Sequence, residues 1–264
     1  MTDEPKPADE RSLTLEQYEK LQPWAQVSHE GVPMRFHTPS ILTRWRVDSI
    51  LTKEPCTLEW IAGFERDEVM VDCGANVGMY TIWAAVTRGA QVYAFEPEAQ
   101  NYALLNRNIL LNGQSDRATA FCLGLSDVSG LSRLHMADMR VGGSCHSVGD
   151  QIDFNLQPLR AVFHQGCMAV RLDDLVADGS IPMPAHIKID VDGLEHKVIA
   201  GARKTIEDSR VKSLLIETNQ NLPEHLGMVG ALRELGFRYD QAQVDAAERK
   251  KGAFKGVAEF IFRR

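Results

Sequence analysis

Five acids in this 264-residue sequence close or directly follow short apolar runs. Asp72 follows Val69-Met70-Val71, Glu96 follows Val92-Tyr93-Ala94-Phe95, and Asp127 comes just after the run at 118–123. Asp190 follows Ile187-Lys188-Ile189, and Glu217 follows Leu214-Leu215-Ile216. One acid at such a place is an ordinary turn or helix-cap residue. Five of them would line one rim of a sheet with groups that accept hydrogen bonds or protons. The first opens a glycine loop, Asp72-Cys73-Gly74-Ala75-Asn76-Val77-Gly78.

Gly74 and Gly78 permit a tight turn and close backbone approach to a ligand. A dinucleotide loop is spaced G-x-G-x-x-G and presents a helix N-terminus to a pyrophosphate. Here the spacing is G-x-x-x-G, and Asp72 would repel a pyrophosphate. An acid at that place suits a ligand with an ammonium and a sulfonium, and S-adenosylmethionine carries both. Glu96 is placed to accept hydrogen bonds from both ribose hydroxyls of an adenosine, whichever cofactor bears it. Asp127, preceded by Ser126, is a candidate for the adenine amino group. Asn76 is a candidate for the amino-acid end of the cofactor, or a brace within the loop. The expected cofactor site is thus Asp72, Gly74, Asn76, Gly78, Glu96, Ser126 and Asp127, with S-adenosyl-L-homocysteine as the released product.

Methyl transfer is an in-line displacement helped by alignment in a dry site, and a hydroxyl acceptor must also lose a proton. The richest cluster of bases is Asp190-Val191-Asp192-Gly193-Leu194-Glu195-His196. Asp190 or Glu195 is expected to position or deprotonate the acceptor, with His196 as an alternative base and Asp192 as a helix cap. Asp190, Asp192 and His196 offer oxygen and nitrogen ligands, but no metal is expected. Gly142-Gly143-Ser144-Cys145-His146 supplies candidate hinges, Gly142 and Gly143, and candidate acceptor contacts, Ser144 and His146.

Positioning these groups requires alternating strands and helices from residue 65 to 264. The apolar runs at 69–72, 92–96, 118–123, 187–191 and 214–217 read as strands. Segments 79–87, 99–112, 194–206 and 224–235 read as helices. Such alternation predicts a parallel sheet covered on both faces, with ligands at the carboxyl ends of the strands. Phe237-Arg238-Tyr239 and Glu259-Phe260-Ile261-Phe262 read as a closing antiparallel pair. Residues 131–170 are expected to form an insertion, or lid, over the acceptor site. Residues 13–64 read as a helical extension in short pieces, the first capped by Thr14 and Gln17. Its Trp24, Trp45 and Trp60 are core residues or a closing wall. Residues 1–12 are polar, contain proline and read as a disordered tail.

The formal net charge of −7 argues against a nucleic-acid partner. Arg249-Lys250-Lys251 is the one tight basic cluster and reads as a solvated loop. Five cysteines without a C-x-x-C pair point to a reducing cytoplasm rather than to disulfides or zinc. No apolar run is long enough for a membrane span. A homodimer through the N-terminal segment is compatible with the sequence.

Residues 71–81, Phe95-Glu96-Pro97, Leu125-Ser126-Asp127 and 187–195, with Val198, Ile199 and Gly201 behind, resemble the FkbM-type methyltransferase family over residues 69–218. The resemblance implies a Rossmann-like class I methyltransferase fold: an α/β, seven-stranded, mostly parallel sheet with helices on both faces and a reversed C-terminal strand pair. It also implies S-adenosylmethionine as donor and a hydroxyl acceptor on a sugar, lipid or polyketide-like natural product, with nitrogen as acceptor in some members. Asp192 stands where a glutamate is more usual, and His196 at a variable position. Three other readings stay open at this level. They are a nucleotide-dependent oxidoreductase on the same fold, a non-catalytic cofactor-binding protein, and a nucleic-acid methyltransferase, against which the absence of an Asn-Pro-Pro-Tyr-type loop counts.

Overall fold

A computed structural model describes residues 13–264; the tail expected at 1–12 lies outside the described residues. The chain opens with α1 (Leu15–Lys20), held by the expected Thr14/Gln17 capping box. Next come β1 (Trp24–His29) and β2 (Val32–His37), an antiparallel hairpin where helix is expected. The reason lies in the two residues between them. Glu30 and Gly31 both have positive φ, 49° and 81°, the requirement of a two-residue hairpin turn. Period-two alternation then buries Met34 and Phe36. The helices α2 (Ile41–Lys53), capped by Ser40, and α3 (Pro55–Ala62), with proline at its start, follow as expected.

The alternating part begins with β3 (Val69–Cys73), α4 (Met79–Arg88), β4 (Gln91–Phe95), α5 (Ala99–Leu111) and β5 (Ala118–Phe121). Residues 124–170 form a second sheet from β6 (Gly124–Leu125), β7 (Gly130–Met136), β8 (Ser147–Val148) and β9 (Phe163–Val170), in the order β6-β9-β7-β8. The chain returns through α6 (Leu172–Ala177) to β10 (His186–Ile189), α7 (Glu195–Gly201), α8 (Arg203–Glu207) and β11 (Ser213–Asn219). It closes with α9 (Pro223–Glu234), α10 (Gln241–Ala247) and β12 (Val257–Arg263).

The main sheet has the order β12-β11-β10-β3-β4-β5, parallel except for the reversed edge strand β12. This is the α/β, mostly parallel plan that the resemblance implies, with one difference: the sheet holds six strands rather than seven. Residues 237–239 contribute only an isolated bridge, Arg238 to Arg263, because Asp240 already caps α10 and turns the chain away. The helix expected at 194–206 is also divided, at Ala202. Both faces of the sheet are covered. Trp60, Ile82, Trp83 and Leu105 pack on one side, and Val198, Ile206, Leu232 and Phe262 on the other. The chain reverses topology between β3 and β10, so the carboxyl ends of these two strands open a crevice.

Candidate active site

A cavity of about 320 Å³ occupies that crevice. Its floor is the glycine loop. Gly74 has φ +78°, and a Cβ there would stand 1.9 Å from the Asp190 carbonyl oxygen, so only glycine lets β3 and β10 end side by side. The N–H groups of Gly74 and Ala75 both donate to the Phe95 carbonyl, at 3.0 and 3.1 Å, and tie the loop to β4. Asn76, with φ +50°, donates its backbone N–H to Glu96 Oε2 at 2.8 Å. Glu96 Oε1 accepts the Glu98 N–H at 2.9 Å. The carboxylate is thereby fixed at the cavity wall, and burial pushes its pKa up to about 7.

The opposite wall is acidic. Asp190 Oδ2 lies 3.0 Å from Lys188 Nζ, and this ammonium holds the Asp190 carboxyl down at about 2 against the cost of burial. Asp192, with φ +57°, accepts the Cys145 N–H at 2.6 Å. Burial and the neighbouring Asp190 push its pKa up. Glu217, raised well above the usual carboxylate range by burial, pairs with Arg249 Nη1 at 2.7 Å. One oxygen from each of Asp190, Asp192 and Glu217 lies within 4.8 Å of the other two, a set that could hold a divalent cation. Lys188 and Arg249 already pair with two of the three. His196, the third ligand considered from sequence, is not in this set.

The cover comes from residues 141–146. The Asn76 amide donates to the Gly143 carbonyl at 2.6 Å, and the Gly142 N–H donates to Asn101 Oδ1 at 2.7 Å. Arg46 Nε and Nη2 both donate to the Gly142 carbonyl, at 2.9 and 2.7 Å. Ser144 and His146 line the cavity. His146 Nδ1 accepts the Ala137 N–H at 3.2 Å, so its proton sits on Nε2, which has no partner among the described residues.

Of the residues selected from sequence, Gly74, Asn76, Glu96, Gly143, Ser144, His146, Asp190, Asp192 and Glu217 come together around this cavity. Asp192 is not the expected helix cap: Leu194 is the N-cap of α7, and the Asp192 carboxylate is held by the Cys145 N–H instead. The remaining cofactor and base candidates face elsewhere. Asp72 is buried behind the loop, its Oδ2 accepting from the Thr81 hydroxyl at 2.6 Å. The alternation of β3 turns it toward α4 and away from the ligand space. Gly78 serves packing: a Cβ there would meet Leu105 Cδ1 at 2.4 Å. Ser126 and Asp127 bond to each other and lie under Gly201, whose added Cβ would stand 1.9 Å from the Ser126 carbonyl oxygen. Gly124 and Leu125 line the cavity in their place.

Glu195 is also turned inward. It accepts N–H bonds from Val191 at 2.9 Å and from Gly193 at 3.0 Å, and His225 Nε2 lies 3.3 Å from it. Burial pushes its pKa up to about 8. His196 lies beside His225, the two rings tilted by 48°, and is not part of the cavity lining. Sequence reasoning missed Arg46 and Lys53 of α2 and Phe254 of the loop before β12, and it read Arg249 as part of a solvated loop, whereas Arg249 pairs with Glu217 and Glu259; all four line the cavity. Among the three tryptophans considered, Trp45 lines it, Trp60 is buried against Ser213, and Trp24 is exposed on β1.

The model of the methyltransferase FkbM domain matches residues 72–239, more than half of the sequence. The chain belongs to the FkbM methyltransferase family. It is a methyltransferase, and the matched segment runs from the glycine loop to the bridge before α10. Two curated relatives cover similar ground. The hexuronic acid methyltransferase AglP of Haloferax volcanii is 26% identical over 187 residues, 69% of each chain. The 31-O-demethyl-FK506 methyltransferase FkbM of Streptomyces tacrolimicus is 27% identical over 195 residues, 64% of this chain and 72% of that one. Among solved structures, the FkbM methyltransferase of Methylobacillus flagellatus KT superposes with a TM-score of 0.49 at 16% identity. That match covers 84% of this chain and 53% of the other, so the chain spans about half of that protein's length. No helix among the described residues is long and apolar enough to cross a membrane.

Proposed function

We propose that this FkbM-family methyltransferase transfers a methyl group from S-adenosylmethionine to a hydroxyl of a sugar, lipid or other natural-product acceptor. The observation that carries the reading is Glu96, fixed at the cavity wall by the N–H groups of Asn76 and Glu98. A carboxylate so held at the end of β4 has lone pairs left for the ribose hydroxyls of an adenosine. The donor set fits the cofactor elsewhere too. Phe95, Leu125 and Leu134 would offer an apolar slot for a base, and Asp190 at the cavity wall would offer negative charge to a sulfonium. When bound, S-adenosylmethionine supplies the electrophilic methyl.

The chain's own residues do the rest. Asp190, held ionised by Lys188, acts on charge and alignment. Asp192 is the better proton acceptor, because its pKa is raised and none of the described cations lies within ion-pair distance of it. Residues 141–146 exclude water. Glu195 and His196 take no part in proton transfer. The two curated relatives, named for a hexuronic acid and for 31-O-demethyl-FK506, support an oxygen acceptor. Calorimetric titration with S-adenosylmethionine, S-adenosylhomocysteine and NADH tests the reading. Binding of both sulfur compounds, weakened in E96A, is the expected result. Preference for NADH, or no binding of any, would overturn it.

A further inference from the structure

A side chamber of about 50 Å³ opens between α2 and the glycine loop. It shares Arg46, Lys53, Gly74, Asn76 and Asp190 with the main cavity, so one ligand can reach both. Three cations border it. Lys188 is committed to Asp190, and Lys53 to Glu54. Arg46 differs: among the described residues no carboxylate pairs with it. Its Nε and Nη2 donate to the single carbonyl of Gly142, and among the described residues Nη1 has no hydrogen-bond partner. A guanidinium anchored by a neutral acceptor and lining a chamber is suited to a carboxylate arriving with a ligand.

We infer that Arg46 binds the α-carboxylate of the methionyl part of S-adenosylmethionine, and that α2 is part of the cofactor site although it lies outside the family-matched segment. The inference rests on the cofactor reading above. The chamber adjoins Gly74 and Asn76 rather than Glu217 and Arg249, which places this carboxylate on the cofactor's side and not the acceptor's. Arg46 also joins α2 to residue 142 of the cover, so the group that would bind the cofactor is the same one that positions the cover over it.

Titration of wild-type protein, R46A and R46Q with S-adenosylmethionine and with its decarboxylated form, which differs only in lacking this carboxylate, tests the assignment. Wild-type protein should prefer the intact cofactor by about 10- to 100-fold, the range of a charge-assisted hydrogen bond. R46Q should lose that preference while binding the decarboxylated form as well as wild type does; R46A, which also loses the Gly142 contact, should lose the preference and bind both forms more weakly. R46Q can still donate to the Gly142 carbonyl, so its loss would report charge and not cover position. Unchanged preference in the variants, or equal loss of both ligands, would overturn the assignment and leave the cofactor reading intact. Wild-type protein that binds neither form would overturn the cofactor reading, and the assignment with it.

Discussion

Lys188 and Asp190 flank Ile189 at the end of β10, and the ammonium of the first lies 3.0 Å from the carboxylate of the second. Lys188 is fully buried and lies 5.2 Å from the centre of the Tyr80 ring. It acts as an internal counter-ion for the acid rim, with Asp72 on one side and Asp190 on the other.

Replacing this counter-ion strands Asp190 beside two other acids. K188M should lower the unfolding free energy by about 3 kcal/mol, the usual cost of leaving one partner of a buried pair. The pH dependence has a definite sign. Asp190 sits at about 2 in the fold against 3.8 for the free side chain. Its contribution, about 2 kcal/mol, is present above pH 4 and lost as pH falls toward 2. Urea titrations at pH 2.5 and 6 should show this loss in wild type and a smaller one in D190N.

Cofactor binding should titrate with Glu96, whose pKa is raised to about 7. Hydroxyl donors prefer the ionised carboxylate, so S-adenosylhomocysteine should bind about tenfold more weakly at pH 6 than at pH 8. In E96Q the affinity should be lower and flat across this range. A wild-type profile without a slope would show that Glu96 does not meet the ribose.

Glu195 should prove structural. E195A leaves the buried N–H groups of Val191 and Gly193 without an acceptor and should cost about 2–4 kcal/mol. E195Q keeps a carbonyl acceptor, and should fold and turn over within about threefold of wild type. A folded but inactive E195Q would restore Glu195 as the base. H196A should leave turnover unchanged, whereas D192N should reduce it by about 100-fold or more.

Two glycines of positive φ should behave differently. G74A drives a Cβ to 1.9 Å from the Asp190 carbonyl oxygen, a backbone atom that cannot move aside. It should cost more than about 3 kcal/mol and abolish cofactor binding. G113A, at φ +64° with nothing within 4 Å of the new Cβ, should cost only about 1 kcal/mol. Thermal denaturation of the two variants compares them directly.

What the sequence determines here is local. Apolar runs bounded by acids and glycines specify β3, β4, β10 and β11, because strand pairing and helix capping are read within a few residues. The glycine loop follows from the same short-range rules, and so do Glu96 and Asp190 at the ends of their strands. The hairpin at 24–37 was also local, marked by Glu30-Gly31, but its signal is two residues long and yields to the helical spacing around it. The tertiary structure decides which side chain meets the cavity. Asp72 and Glu96 both end apolar runs, yet the first is turned to Thr81 and only the second faces the ligand space. Glu195 opens a helix and bends back to its own loop. Arg46 reaches Gly142, and Arg249 reaches Glu217, across separations that no local pattern encodes. A period of two or 3.6 residues sets the face of an element. Only packing against distant segments decides what that face encloses.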